Sequence, residues 1–181
     1  QAEDGIRDRS PSRGLGDVYK RQEIMSLAEK AGTILRDKGE TVGIAESSSG
    51  GLISAHLLAI AGASAYFLGG SFIYTRYAGR GLLGVTDDEM EGMRAATESY
   101  ASLNAGRISE ILGSTWGLSE TGATGPDGNR YGDDAGHSCI AVSGPVSRSR
   151  TIETGSNDRQ ENMIAFSIAA LELLIECLQS E

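Results

Sequence analysis

The amino-acid sequence predicts a three-layer α/β/α domain built on a mixed, partly parallel sheet. Three observations carry this expectation. Amphipathic helical periods alternate with short apolar runs over the first half of the chain. In the last third, three strand-like segments follow one another before a closing helical segment. The 181 residues include 25 Gly and only 3 Pro, a balance that suits tight turns and close backbone approaches rather than Pro-stiffened disorder. With 39% hydrophobic and 23% charged residues, the composition is that of one globular domain with a substantial core.

Taken in order, residues 1–22 mix Arg, Asp, Gly and Ser around Pro11 without a sustained apolar period. They read as a disordered or non-native leader, which places the domain at 23–181. Glu3, Asp4, Asp8 and Asp17, with no apolar stretch beside them, argue against a targeting peptide. From Glu23 onward, Ile24, Leu27, Ala28, Ala31, Ile34 and Leu35 recur at three and four residues, predicting a helix that Gly39 ends. "TVGIAES" (41–47) reads as a buried strand, 49–60 as a helix, and "GGSFIYT" (69–75) as a second strand. Thr86-Asp87-Asp88-Glu89 matches a capping box before a short helix. A longer helix is expected over 97–112. Segments 116–123, 137–144 and 149–155 read as strands, and 158–178 as a helix capped by Asn157. Such an order places a ligand at the strand ends.

Composition also excludes several function classes. The net charge of −9 would repel a phosphate backbone, and no Lys/Arg run offsets it, so no nucleic-acid partner is expected. Cys139 and Cys177 fit neither a metal pattern nor a disulfide framework and read as buried, reduced thiols. Asp133 and Asp134 form an isolated pair without further ligands at recognisable spacing, so no metal and no other cofactor is expected. No apolar run is long enough to span a bilayer. The chain reads as cytoplasmic, with no membrane partner.

Chemistry concentrates in "GIAESSSGGL" (43–52), where three hydroxyls stand between a carboxylate and a glycine pair at a strand-to-helix turn. Ser47 could attack an electrophile there while N–H groups over Ser48, Ser49 and Gly50 hold the oxyanion. A serine N-cap would give the same letters without chemistry. Farther on, "TGATGPDGNRYGDDAGH" (121–137) has the glycines for backbone approach to a small ligand, with Arg130 positioned to meet an acidic group and Tyr131 to stack on a ring; exposure of both is the plain alternative.

The stretch 41–85, "TVGIAESSSGGLISAHLLAIAGASAYFLGGSFIYTRYAGRGLLGV", resembles the C-terminal domain of the competence/damage-inducible CinA family, whose stand-alone members include nicotinamide-nucleotide amidases. That family carries an E-S-C-T-G-G turn, a Y-F-x-G-G element, a strand ending in Tyr and an L-L-G-V segment. "ETGATGP" (120–126) is similar to its T-G-x-A-G-P loop, and "TGSNDRQENM" (154–163) in part to its Arg-containing region. The likeness runs over about residues 23–178. It implies hydrolysis of the carboxamide of nicotinamide mononucleotide to the nicotinate mononucleotide and ammonia, on a small-molecule nucleotide substrate, in a homo-oligomer. It makes Ser47 the nucleophile, Tyr74 an active-site phenol, Thr121 the hydroxyl of the glycine loop, and Arg159 a partner for the substrate phosphate. Ser48, Ser49, Gly50, Gly122 and Gly125 fall on the substrate-binding loops, joined by Arg130.

The resemblance also implies a lysine five residues after Tyr74, as the base paired with the serine. Position 79 is glycine, and no lysine follows Lys38. Arg76 and Arg80 flank the gap but do not give up a proton. His137, at the mouth of a strand, is the candidate substitute base. The sequence therefore leaves open a non-catalytic module binding a nucleotide or small anion, and a serine hydrolase of different substrate using another base.

Overall fold

The computed structural model describes residues 11–180, with side chains from residue 18 onward. The chain runs α1 (Pro11–Lys38), β1 (Val42–Glu46), α2 (Leu52–Leu58), a 3-10 turn (Ala63–Ala65), β2 (Phe67–Phe72), α3 (Arg76–Leu83), α4 (Glu98–Leu112), β3 (Trp116–Ala123), β4 (His137–Ser143), β5 (Arg148–Glu153) and α5 (Arg159–Leu178). The leader expected over 1–22 is helical from Pro11; residues 1–10 lie outside the described residues. Once α1 is nucleated each added residue costs little, so the helix runs N-terminally past its apolar stripe, with Val18 and Tyr19 exposed. Gly39 ends it as expected, in the left-handed conformation at φ 68°.

The five strands form one mixed sheet in the order β2-β1-β3-β4-β5. β1 runs parallel to both β2 and β3, whereas β3–β4 and β4–β5 are antiparallel. Helices α1, α2 and α5 cover one face and α4, flanked by α3, the other, giving the three layers anticipated. The larger core lies under α1, α2 and α5, where Ile24, Leu35, Ile53, Leu57, Trp116, Phe166 and Leu174 are fully or almost fully buried. Smaller clusters around Ile73, Leu83 and Ile108, and around Ala101, Ala105 and Cys139, fill the α4 side. Both cysteines are buried free thiols. Among the described residues no helix is long and apolar enough to cross a membrane.

Sequence and structure part at four places. β2 starts at Phe67, and α3 stands where the periodicity predicts no helix. Thr86 and Glu89 make the reciprocal capping-box bonds, from Thr86 N to Glu89 Oε2 at 2.9 Å and from Glu89 N to Thr86 Oγ1 at 3.2 Å, but turns follow rather than a helix, with Gly92 at φ 73°. The cap of α5 is Asp158, not Asn157: its carboxylate accepts the N–H groups of Gln160 and Glu161.

Because β2 lies on one side of β1 and β3 on the other, the connections that leave the carboxyl ends of β1 and β3 part company there. A crevice at such a switch point is the place where open α/β sheets bind ligands.

Candidate active site

The turn after β1 is held by two buried carboxylates. Glu46, 1% exposed, accepts from Ser49 Oγ (2.9 Å), Gly51 N (2.9 Å), Ile53 N (3.1 Å), Ser54 N (2.8 Å) and Ser54 Oγ (2.6 Å). It thereby takes up the orphan N–H groups at the start of α2, a structural role. Gly51 has φ 98°, and a Cβ there would come within 2.6 Å of the Phe72 ring, so only glycine fits this corner.

The second carboxylate is Glu120 of β3, also 1% exposed. Its Oε2 accepts from Ser47 N at 3.3 Å and Ser49 N at 2.8 Å, and its Oε1 from Ser48 Oγ at 2.5 Å and Ser138 Oγ at 3.2 Å. Burial pushes the Glu120 carboxyl above the usual range, against the downward pull of the Ser48, Ser49 and Ser47 donors.

These bonds revise the expected substrate-binding set. The Ser48 and Ser49 hydroxyls are committed to Glu120 and Glu46 beneath the turn, Ser49 N to Glu120, and Gly50 N to Ser47 O at 3.3 Å. Gly50 lies against α5, where a Cβ would stand 2.8 Å from Met163 Cε. Ser47 Oγ and Ser48 N–H remain without hydrogen-bond partners among the described residues.

Ser47 opens onto a cavity of about 570 Å³ at the switch point. Ser47 follows β1, Ile73 and Tyr74 follow β2, and Thr121 and Gly122 end β3; Met90, Met93, Arg94, Tyr100, Arg130 and Tyr131 complete the wall. Thr121 Oγ1 accepts the Ala96 N–H at 3.3 Å. At Gly122 a Cβ would fall 2.3 Å from the His137 carbonyl oxygen, so the backbones meet too closely for a side chain. Arg159, the first residue of α5, donates to Gly125 O at 2.7 Å and to Tyr74 Oη at 3.2 Å. It thus joins the end of the glycine loop to the cavity wall, and neither contact neutralises its charge.

The loop between β3 and β4 is clamped onto the segment before α4. Arg94 binds Asp133 through both terminal nitrogens, at 2.5 and 2.9 Å, and Asn129 Nδ2 adds a bond to Asp133 at 2.8 Å. Asp133 is held below its usual carboxylate range first by the Arg94 bond, against the burial that would raise it. Two guanidinium groups stand over the Tyr131 ring, Arg94 at 5.3 Å and Arg130 at 5.4 Å from its centre. Arg130 makes no ion pair among the described residues.

His137 lies outside the cavity lining, and both its nitrogens face acceptors: Nδ1 is 2.5 Å from Glu153 Oε1 and Nε2 is 3.1 Å from Ala96 O. Neither nitrogen is open to take a proton from Ser47, which removes the basis for His137 as the substitute base. Burial alone would lower the His137 pKa, but Glu153, the Ala96 carbonyl and Asp133 together raise it above 6.5. The folded state therefore binds this proton more tightly than the unfolded one. The resulting stabilisation is full below 6.5 and is lost as pH rises through the folded pKa. We expect the melting temperature of the wild type to fall over that window by more than that of His137→Gln; parallel curves would refute the assignment.

Gly79 is buried in α3. A Cβ built there meets Tyr100 Oη at 3.4 Å and Ile73 Cγ2 at 3.5 Å, ordinary contacts with two residues of the cavity wall. A side chain at 79 thus faces the wall of the site. Arg76 and Arg80 flank it and share Asp87, at 3.2 and 2.6 Å.

Three contributors are not singled out by the sequence. Glu120 sits in a run of buried polar residues, Ser119-Glu120-Thr121, inside a central strand; polarity in such a strand is the available signal. Tyr100 reads in the sequence only as part of a helix stripe. Arg94 leaves no local signature, because its partner lies 39 residues away.

Comparison with known proteins agrees with this architecture. The family model described as CinA C-terminal domain matches residues 24–178. A "CinA-like protein" of Nostoc sp. is 41% identical over 120 residues, covering 66% of this chain and 28% of that protein. One from Gloeothece citriformis is 31% identical over 159 residues, covering 88% of this chain and 38% of its own length. The chain thus spans well under half the length of these relatives. Among solved structures, the competence/damage inducible protein CihA from Agrobacterium tumefaciens superposes with a TM-score of 0.81 at 29% identity, over 87% of this chain and 96% of that one.

Proposed function

Since the chain belongs to the family of CinA C-terminal domains, we propose that it is a serine-type amidohydrolase of low intrinsic rate that releases ammonia from nicotinamide mononucleotide or a related nucleotide amide. The observation that carries this reading is the convergence of an unpartnered Ser47 Oγ, Tyr74 and Thr121 on one cavity at the switch point of the sheet. Ser47 attacks the carboxamide carbon, and the remaining Ser48 N–H serves the developing oxyanion. Arg130 and Arg159, cationic and free of carboxylate partners among the described residues, suit the phosphate. Thr121 and Gly122 border the nucleotide. Placement in the cytoplasm and assembly as a homo-oligomer belong to the same proposal.

The rival reading, a module that binds a nucleotide or small anion without turnover, draws on one specific observation: glycine stands at 79, where the resemblance implies the base. Ammonia release from nicotinamide mononucleotide separates the two. We expect slow turnover in the wild type that Ser47→Ala removes while leaving nucleotide affinity within a few-fold. No turnover in either protein, with equal affinities, would establish the binding module.

A further inference from the structure

We infer that Tyr100 is a catalytic residue of this site, its phenol taking the proton-transfer role in the space that Gly79 leaves open; the inference rests on the serine-hydrolase reading above. Tyr100 is 6% exposed, yet it lines the cavity that holds Ser47. Its phenol oxygen has no hydrogen-bond partner among the described residues. That oxygen keeps some exposure within the cavity, so a ligand or a water can meet it there. The same oxygen stands 3.4 Å from where a Cβ at position 79 would be. Tyr100 also borders a chamber of about 20 Å³ closed by Arg76, Gly79, Arg80 and Asp87, room for about one water.

Tyr74, the other phenol, is less suited to this step. It is 65% exposed, and its oxygen already accepts a bond from Arg159. Tyr74 orients; Tyr100 carries the proton. In the acylation step the Ser47 Oγ–carbon bond forms and the carbon–nitrogen bond breaks. The Tyr100 oxygen accepts the Ser47 proton as it gives its own to the departing nitrogen, so ammonia leaves and the phenol ends neutral. Water then attacks the ester, and the same phenol takes a proton from water and returns one to Ser47 Oγ.

The test uses a fluorophosphonate, which reports serine reactivity independently of the amide substrate, together with ammonia release from nicotinamide mononucleotide. Wild type, Ser47→Ala, Tyr100→Phe, Gly79→Lys and the double variant combining Gly79→Lys with Tyr100→Phe are compared by mass spectrometry of the labelled peptide. Tyr100→Phe removes an oxygen with no protein partner, so its melting temperature should stay that of the wild type. We expect it to slow Ser47 labelling by about 10²-fold, and to slow it much less in the Gly79→Lys background, where the introduced amine does the same work. Labelling of Ser47 at the wild-type rate in Tyr100→Phe overturns the inference and leaves Ser47 as the nucleophile. Labelling that appears only with Gly79→Lys also overturns it, showing that the phenol does not activate the serine. Labelling of Ser47 in no variant removes the serine-hydrolase reading itself, and the inference with it.

Discussion

Gly79→Lys is expected to raise ammonia release from nicotinamide mononucleotide, by about 10²- to 10⁴-fold in the Tyr100→Phe background, the usual worth of a positioned proton-transfer group, and by less where the phenol is present. Position 79 has ordinary contact distances around a built Cβ, 3.4 and 3.5 Å, and both neighbours belong to the cavity wall. The new amine would share its surroundings with Arg76 and Arg80, whose charges Asp87 offsets only in part. Burial and like charge both favour the neutral amine, the form that can accept the Ser47 proton. Steady-state kinetics read the outcome, with Gly79→Ala as the control that fills the space without adding a base. An increase in kcat for lysine alone supports the proposal. Equal rates for the lysine and alanine variants would show that this wall does not reach the reacting atoms.

Glu120→Ala is expected to be the most damaging single change to the site. It strands Ser47 N, Ser49 N, Ser48 Oγ and Ser138 Oγ, all of which donate to this one side chain. Each buried donor left unpaired costs about 1–3 kcal/mol, so a loss of at least about 3 kcal/mol is expected, a large part of a typical domain's stability. Glu120→Gln keeps an oxygen for the two backbone N–H groups and offers its amide hydrogens to the two hydroxyls, so denaturant unfolding should rank it far above alanine. The two carboxyl-site variants also differ in pH response from the wild type. Because burial raises the Glu120 pKa above 4.5, the folded wild type holds that proton more tightly than the unfolded chain does. The stabilisation is full below 4.5 and is lost as pH rises through the folded pKa; glutamine has no such step. A wild type and Glu120→Gln that lose stability in parallel over that window would contradict this account.

Much of the architecture is legible in the sequence because it rests on local periodicity. The stripe from Ile24 to Leu35 buries Ile24, Ala28, Ala31 and Leu35 and partly buries Leu27 and Ile34, and the strand read over 41–47 is buried from Val42 to Glu46. Helix α3 is not legible. Its eight residues include Gly79 and Gly81, poor helix formers, and its start is fixed instead by the Thr75 hydroxyl accepting the Ala78 N–H. The capping box at Thr86 shows the converse, since its bonds form but Gly92 turns the chain away before a helix can propagate. Within the site, Ser47, Tyr74 and Thr121 are readable as motif members. Glu120 is not, because what makes it matter is a set of donors more than 70 residues upstream together with Ser138 on the neighbouring strand. His137 misleads for a related reason: its place at a strand mouth can be read from sequence, but not that Glu153 and Ala96 O occupy both nitrogens.

The parallel pairing of β1 with β3, in which Val42 faces Trp116, also governs when the site comes into being. Everything from α2 to α4 lies inside the loop that this pairing closes, and contacts of such sequence separation are slow to form. The bond from Ser49 N to Glu120 spans 71 residues, so no half-folded chain that lacks β3 can shape the serine turn. Nascent chains and partly unfolded molecules that lack β3 therefore lack the shaped serine turn, and exchange of the Ser49 amide hydrogen requires its bond to Glu120 to open. A single amide thus serves as a built-in gauge of the docking of the serine turn on β3.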